Sequence, residues 1–268
     1  KKAIFRYNAG KSLQLFPPKH PYFKAPAEAK QVIEQVTQEA IREKRIRDMV
    51  EELPDNLTPE EKQAIAAHNL EIEEALKITK GKPMTVEQAD QQHANPNYGK
   101  KYEYSINCQT CAPAYVLRLM GFNVTAKANT KNSLSEYLSR QRSFEAWKNT
   151  DGSPAVPTLT YDWMIAKGYK QMSKKRYAEY FEECCKETGV YILTIGWKGG
   201  GGHATVLQRF EDGTLKYIEP QVYSERSGAK RSIDELCESG ATKPYPKRGV
   251  LRVDNKLFDT KFASIFDK

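Results

Sequence analysis

Asn107-Cys108-Gln109-Thr110-Cys111-Ala112-Pro113-Ala114-Tyr115-Val116-Leu117-Arg118-Leu119-Met120-Gly121 begins with a pair of cysteines and ends on a glycine placed where a helix C-cap glycine belongs. The pattern predicts a short helix carrying thiols at its N-terminal end. A free thiol, with a pKa near 8.5, is mostly protonated at neutral pH. A helix N-terminus and a neighbouring imidazolium both stabilise the thiolate and make it a nucleophile. The question this stretch poses is therefore where the imidazole comes from.

The candidate is His203, in Gly202-His203-Ala204, which follows the glycine run 199–202. Glycines in that number let a backbone approach a substrate closely, and their entropic cost needs some reason. Ala204, Val206, Gln208 and Phe210 alternate after the histidine and place it at the mouth of a half-buried strand. Asp212-Gly213 is a strong hairpin-turn signal. It pairs a strand at 203–210 with one at 215–219, so that the far ends meet. Glu219, closing Lys216-Tyr217-Ile218-Glu219, then reaches the imidazole and holds its tautomer, as the third member of a catalytic triad must. Gln221 is the fallback orienter.

Two thiols compete for the nucleophile's place. Pro113 lacks an N–H and is comfortable only in the first turn of a helix, which puts the helix start near Thr110 or Cys111 and favours Cys111. The distance back from Gly121 favours Cys108, by similarity to cysteine peptidases whose helix opens on an Asp-Cys pair. Both are carried as candidates. Cys184, Cys185 and Cys237 have no nearby base in sequence and are read as small buried apolar residues. His20, His68 and His93 are assigned nothing.

Outward from this centre, residues 1–27 are punctuated by Pro17, Pro18, Pro21 and Pro26 and read as an irregular arm. A helix follows to about Glu52, with Ile33, Val36, Ala40 and Ile46 on one stripe. Thr58-Pro59-Glu60-Glu61 is a strong helix start, and that helix runs to about Lys77. Residues 1–85 are thus expected to form an arm and a helical appendage that packs on the following domain or on a partner, and residues 86–268 a catalytic domain. In the latter, helices are predicted over 134–147, 161–167 and 177–188. Strands are predicted over 122–126, 190–197, 203–210, 215–219 and 249–253. Helices first and an antiparallel sheet second is an α+β order.

The 268 residues carry a net charge of +8, and the first 85 hold 15 Lys/Arg against 13 Asp/Glu, so the charge is not gathered into a basic stripe. Without such a stripe interleaved with aromatics, or a known module, nucleic acid is not expected as a partner. No apolar run approaches the roughly 18 residues of a membrane span, so no membrane is expected either. The chain opens Lys1-Lys2 without an initiator methionine and shows no signal peptide, which reads as a fragment of a longer polypeptide. Five cysteines is an odd count for a disulfide framework and suits a reducing compartment. Cys108 and Cys111 form a C-x-x-C, but a structural zinc site wants a second pair at similar spacing. Cys184-Cys185, adjacent on a predicted helix, point apart. No metal or organic cofactor is implied.

Asn95-Pro96-Asn97-Tyr98, Tyr104-Ser105-Ile106-Asn107-Cys108-Gln109-Thr110-Cys111 and Leu117-Arg118 with Gly121-Phe122-Asn123-Val124-Thr125-Ala126 resemble the papain-fold toxin domain. That domain occurs at the C-termini of polymorphic toxins and of phage head-morphogenesis proteins. Gly202-His203-Ala204 and Ile218-Glu219-Pro220-Gln221 resemble the family's second block, which usually reads Gly-His followed by Asp-Pro-Gln; here Glu219 stands for the usual Asp. The likeness covers about residues 84–255. More distantly, the cysteine and histidine registers are similar to those of peptidase domains that process bacteriocin leaders.

The resemblance implies a papain-like fold and a Cys-His-acid site acting on an amide, either a peptide bond or a protein glutamine side chain. It implies a protein substrate in a target cell and an immunity protein as a further partner. The location implied is the cytoplasm of the producer or target cell, reached as a secreted effector or on a phage particle. The competing expectation is a virion or scaffold component whose hydrolase domain is inactive.

Overall fold

The structure is a computed structural model that describes residues 3–6, 12–15, 27–91, 93–197, 201–222, 232–239 and 247–268. The chain divides into two compact units, Lys1–Met49 and Val50–Lys268. In the first, β1 (Ala3–Arg6) and β2 (Ser12–Leu15) pair antiparallel, Ala3 opposite Leu15, where an irregular arm is expected from the sequence. The prolines at 17, 18, 21 and 26 lie outside the described residues. Helix α1 (Ala27–Glu51) follows, and Ile33, Val36 and Ile41 on it are exposed.

The second unit begins with α2 (Pro59–Leu76). The Thr58 hydroxyl accepts from the Glu61 N–H at 3.2 Å, and the Glu61 carboxylate accepts from the Thr58 N–H at 2.9 Å, a complete capping box with proline at the first helical position. The sequence places this helix in an appendage ending near residue 85. Ile72 and Leu76 are instead fully buried in the same apolar cluster as Tyr115, Leu117 and Phe122, so the division falls between residues 49 and 50. An amphipathic helix this short gains most of its stability from such packing.

Next come α3 (Val86–Gln91), α4 (Tyr102–Ser105) and α5 (Cys108–Leu119). Residues 109–118 of α5 are all buried, Arg118 included. Gly121 adopts φ 104°, and a Cβ there would lie 2.4 Å from the Gly81 carbonyl oxygen, so no other residue fits this helix end. The turn that closes it is of Schellman form, with the Phe122 N–H bonded to the Leu117 carbonyl and the Gly121 N–H to the Arg118 carbonyl, both at 2.9 Å. β3 (Thr125–Ala126), α6 (Leu134–Gln141), a 3-10 turn at Ser143–Ala146, and β4 (Trp147–Lys148) replace the longer strand and helix expected over 122–126 and 134–147.

The rest of the chain supplies β5 (Thr158–Leu159), α7 (Thr160–Ala166), α8 (Lys174–Cys184), β6 (Gly189–Gly196), β7 (Gly202–Arg209), β8 (Leu215–Ile218), α9 (Ile233–Ser239), β9 (Gly249–Arg252), β10 (Leu257–Phe258) and β11 (Phe266–Asp267). Five of these strands form one antiparallel sheet in the order β5-β9-β6-β7-β8. The Asp212-Gly213 turn joins β7 to β8 as expected, with the Asp212 carboxylate accepting from the Thr214 N–H at 2.8 Å.

Both faces of the sheet are covered. Ile192, Ala204, Val206 and Leu251 join the cluster that contains α5. Tyr191, Leu193, Ile195, Leu207 and Val250 join a second cluster with Trp163, Tyr177, Tyr180 and Phe181 from α7 and α8. The strand after His203 is therefore buried on both faces rather than half-buried, because helices lie on either side. Helix and sheet are mixed in an α+β arrangement. Among the described residues no helix is long and apolar enough to cross a membrane.

Candidate active site

Helix α5 starts at Cys108, not at Thr110 or Cys111, and Pro113 lies within it. Its missing N–H is absorbed without ending the helix. The N–H groups of Thr110 and Cys111 both bond to the Asn107 carbonyl, at 2.8 and 3.0 Å, and set the first turn. Cys108 is thereby the first helical residue, on the positive end of the helix dipole. Cys111 lies a turn further in and is fully buried, whereas Cys108 is only partly buried.

His203 is the second residue of β7, opposite Ile195. It is 8% exposed, and the Trp197 ring stacks on it with centroids 5.8 Å apart. Its Nε2 lies 2.7 Å from Glu219 Oε2, and its ring also hydrogen-bonds the Cys108 thiol. With Nε2 facing the carboxylate, Nδ1 is the ring nitrogen left for sulfur. The backbone N–H of Ala204 points at the same sulfur.

Glu219 stands just past β8 and is held from three sides. Oε2 accepts from the Tyr217 hydroxyl at 2.6 Å as well as facing His203, and Oε1 accepts from the Gln221 N–H at 3.0 Å. The register that brings Val206 opposite Ile218 is what carries residue 219 alongside residue 203.

The electrostatics follow from this chain of contacts. Burial pushes the Cys108 thiol up, but the hydrogen bond and charge of His203, with the Ala204 N–H, outweigh it and leave the thiol below its ordinary value. Burial pushes His203 down, but Cys108 and Glu219 together raise it to about 10. Glu219 is lowered despite its burial, because His203 and Tyr217 bond its charged form. The other thiols move the opposite way. Burial, with the charges of Cys108 and Glu219, pushes Cys111 well above the usual range. Burial lifts Cys184 and Cys237 to about 12 and raises Cys185 too. Of the five cysteines, only Cys108 is shifted toward the thiolate; the other four are shifted toward the thiol.

Gln221 does not orient the histidine. Its side chain donates to Asn107 Oδ1 at 3.3 Å, in a buried network that also holds Asn95 and Cys111. Asn107 Oδ1 accepts from Asn95 Nδ2 at 3.1 Å and from the Cys111 thiol at 3.2 Å, while Asn107 Nδ2 donates to the Lys127 carbonyl at 3.0 Å. Asn95 Nδ2 in turn reaches the Gln221 carbonyl at 3.1 Å. The residue just before the thiol is thus tied to the segment just after the carboxylate. Asn107, Asn95, Tyr217 and Trp197 are the members of the site that sequence reasoning passed over. Tyr217 carries a signal: on β8, two residues before Glu219, it shares the face that residue would take if the strand ran on.

Gly202 lies against the flexible end of a long side chain. A Cβ on it would lie 2.1 Å from the Arg248 guanidinium. The glycines at 199 and 200 lie outside the described residues. Among the described residues, no group of three or more His, Cys, Asp or Glu side chains is placed to hold a metal ion.

Comparison with known protein families, with curated proteins and with solved structures gives no match for this chain.

Proposed function

We propose that the protein is a thiol-dependent amidohydrolase of papain-like fold, acting on a protein substrate as a glutamine deamidase or a cysteine protease. The observation that carries this is the continuous line from Cys108 through His203 to Glu219, with His203 2.7 Å from the carboxylate and bonded to the only thiol held below its ordinary value. A helix N-terminus, an imidazolium and an orienting carboxylate are the parts a cysteine nucleophile needs.

In this reading the Cys108 thiolate attacks a carboxamide carbonyl carbon, and the carbonyl π electrons move onto oxygen. The N–H groups of Cys108 and Gln109, which have no partner within the helix because they belong to its first turn, face the developing oxyanion. The intermediate collapses, the C–N bond breaks, and the proton on His203 passes to the leaving amine or ammonia. Water then attacks the thioester while His203 takes its proton. The carboxylic acid product leaves, and the thiolate and imidazolium are restored. Glu219 keeps the imidazole in the required tautomer and stabilises its charge. Deamidation and proteolysis share these steps and differ in which carbonyl the cleft admits.

The test is to incubate lysates of candidate target cells with the protein and with its Cys108→Ala variant, and compare intact masses of the lysate proteins. The small mass gain of amide-to-acid conversion identifies a deamidase, and fragments identify a protease. Lysates that remain identical under both treatments, with Cys108 no more reactive to iodoacetamide than the other thiols, would remove the proposal.

A further inference from the structure

Arg142 closes α6 with φ 88° and ψ 153°. That region is essentially reserved for glycine, and a long side chain held there marks a place where the surrounding structure imposes the conformation. The neighbours show what imposes it. The Arg142 N–H bonds to the Leu138 carbonyl at 2.6 Å. The next N–H, of Ser143, bonds to the side-chain oxygen of Gln109 at 2.8 Å. Gln109 is the residue after Cys108, so the strained turn is bolted to the first turn of the catalytic helix.

The guanidinium is fixed by its own helix end, with Nη1 donating to the Ser139 carbonyl at 2.7 Å and the Arg140 carbonyl at 3.2 Å. Its Nε is buried and has no hydrogen-bond acceptor in the protein. A buried donor on a charged group is costly to leave unmade. Its charge also acts on the Cys108 sulfur. The residues flanking the turn, Gln141 and Phe144, line an open pocket of about 230 Å³.

We infer that Arg142 is an oxyanion-binding residue of the Cys108 site, its Nε–H donating to the carbonyl oxygen of the bound acyl group beside the first helical amides. The inference rests on the hydrolase reading. It explains why a residue that costs backbone strain is an arginine: a glycine would relax the turn but could supply neither the donor nor the charge. A donor fixed before the reaction, aimed where charge develops, does not have to reorganise when it is needed.

The experiment compares two labelling rates at Cys108, each read by intact mass. A dipeptidyl acyloxymethyl ketone builds negative charge on a carbonyl oxygen as sulfur adds. Iodoacetamide is displaced at carbon and builds none on a held oxygen. In Arg142→Gly the ratio of the ketone rate to the iodoacetamide rate is expected to fall on the order of 100-fold. The melting temperature should stay level or rise, because glycine relieves the strain. Arg142→Lys keeps the charge without the planar Nε–H and should lose most of the same ratio. A purely structural arginine would behave differently, with a lowered melting temperature and both rates falling together, and that result overturns the inference. So does a ratio unchanged in both variants while wild-type Cys108 reacts with the ketone. A wild-type Cys108 inert to both reagents sinks the hydrolase reading itself.

Discussion

Glu219 Oε2 lies 2.7 Å from His203 Nε2 and 2.6 Å from the Tyr217 hydroxyl, so one carboxylate oxygen is shared between the imidazole and a tyrosine on the preceding strand. The shared oxygen holds Glu219 in one rotamer. A glutamate has one more side-chain torsion than an aspartate, and the Tyr217 and Gln221 bonds remove the freedom that extra length adds.

Glu219→Gln keeps the shape but removes the charge and offers an amide where an acceptor is required. The expected result is a loss of kcat/KM on the order of 10²- to 10⁴-fold, with a smaller loss in Tyr217→Phe, about tenfold, from one missing hydrogen bond. The measurement is the rate at which a peptidyl acyloxymethyl ketone alkylates Cys108, with loss of its carboxylate, in each variant. A Glu219→Gln rate within threefold of wild type would remove Glu219 from the triad.

The two candidate nucleophiles separate cleanly. Cys111 donates to Asn107 Oδ1 at 3.2 Å from full burial, and Cys108 pairs with His203 at the surface end of the helix. Cys108→Ala should abolish activity and leave the fold intact. Cys111→Ala should retain activity within a few-fold and lose about 1 kcal/mol of stability, the worth of one buried hydrogen bond. Loss of activity in Cys111→Ala alone, with Cys108→Ala active, would reverse the assignment.

The same pair sets a pH profile. The thiolate of Cys108 forms below the usual thiol value of 9.0, which sets the acid limb of activity. The alkaline limb is the loss of the His203 proton, at about 10. Stability follows with a defined sign. Because His203 is raised on folding, its contribution is whole below its unfolded value of 6.5 and is lost as pH climbs toward about 10. Cys108, lowered on folding, contributes in the opposite direction, gaining as pH rises toward 9.0. Removing the sulfur takes away a hydrogen bond and a charge that raise His203, so in Cys108→Ala the histidine should titrate at lower pH. NMR of the ring protons reads this directly, and an unchanged titration would mean that the two groups do not interact.

The convergence of Cys108, His203 and Glu219 is legible in the sequence because each carries a local signal. Cys108 precedes a helix whose end is marked by Gly121, His203 opens a strand, and Asp212-Gly213 fixes the register that brings Glu219 back to it. The choice between thiols is not legible, because a proline reads as a first-turn residue and this buried helix holds Pro113 further in. Gln221 was misplaced for a different reason. Its partner Asn107 is far away in sequence, and nothing local shows that a loop asparagine accepts from three side chains. The second helix illustrates the same limit. Its capping box is readable from Thr58 and Glu61, but whether Ile72 and Leu76 face a partner or this chain's own core depends on tertiary packing.

The Asn107 network should behave as a structural clamp on the site and not as part of the proton path. Asn107→Ala leaves Asn95, Gln221 and Cys111 without a common acceptor in a buried place, and each stranded polar group costs about 1–3 kcal/mol. The variant should lose several degrees of melting temperature, with activity falling as the helix start shifts. Gln221→Ala, which removes one donor, should destabilise less and leave the alkaline limb where it was, since Gln221 does not bond His203. A Gln221→Ala variant whose histidine titration moves as far as that of Glu219→Gln would restore Gln221 as an orienter.

Gly202 tests whether the histidine's strand end is rigid. A Cβ there falls 2.1 Å from the Arg248 guanidinium, so alanine requires either that side chain or the strand end to move. Overpacking of this kind costs about 1–3 kcal/mol. If the strand end yields, His203 shifts against Cys108 and Glu219, and small displacements of reacting groups are costly in rate. In that case Gly202→Ala loses activity beyond what its stability loss explains, whereas a shift of the flexible Arg248 end leaves activity intact. The double variant Gly202→Ala with Arg248→Ala, which opens the space, should recover most of the activity without recovering all of the stability. Kinetics and thermal melts on the single and double variants decide it: a single variant with full activity means that Arg248 yields and the His203 strand does not.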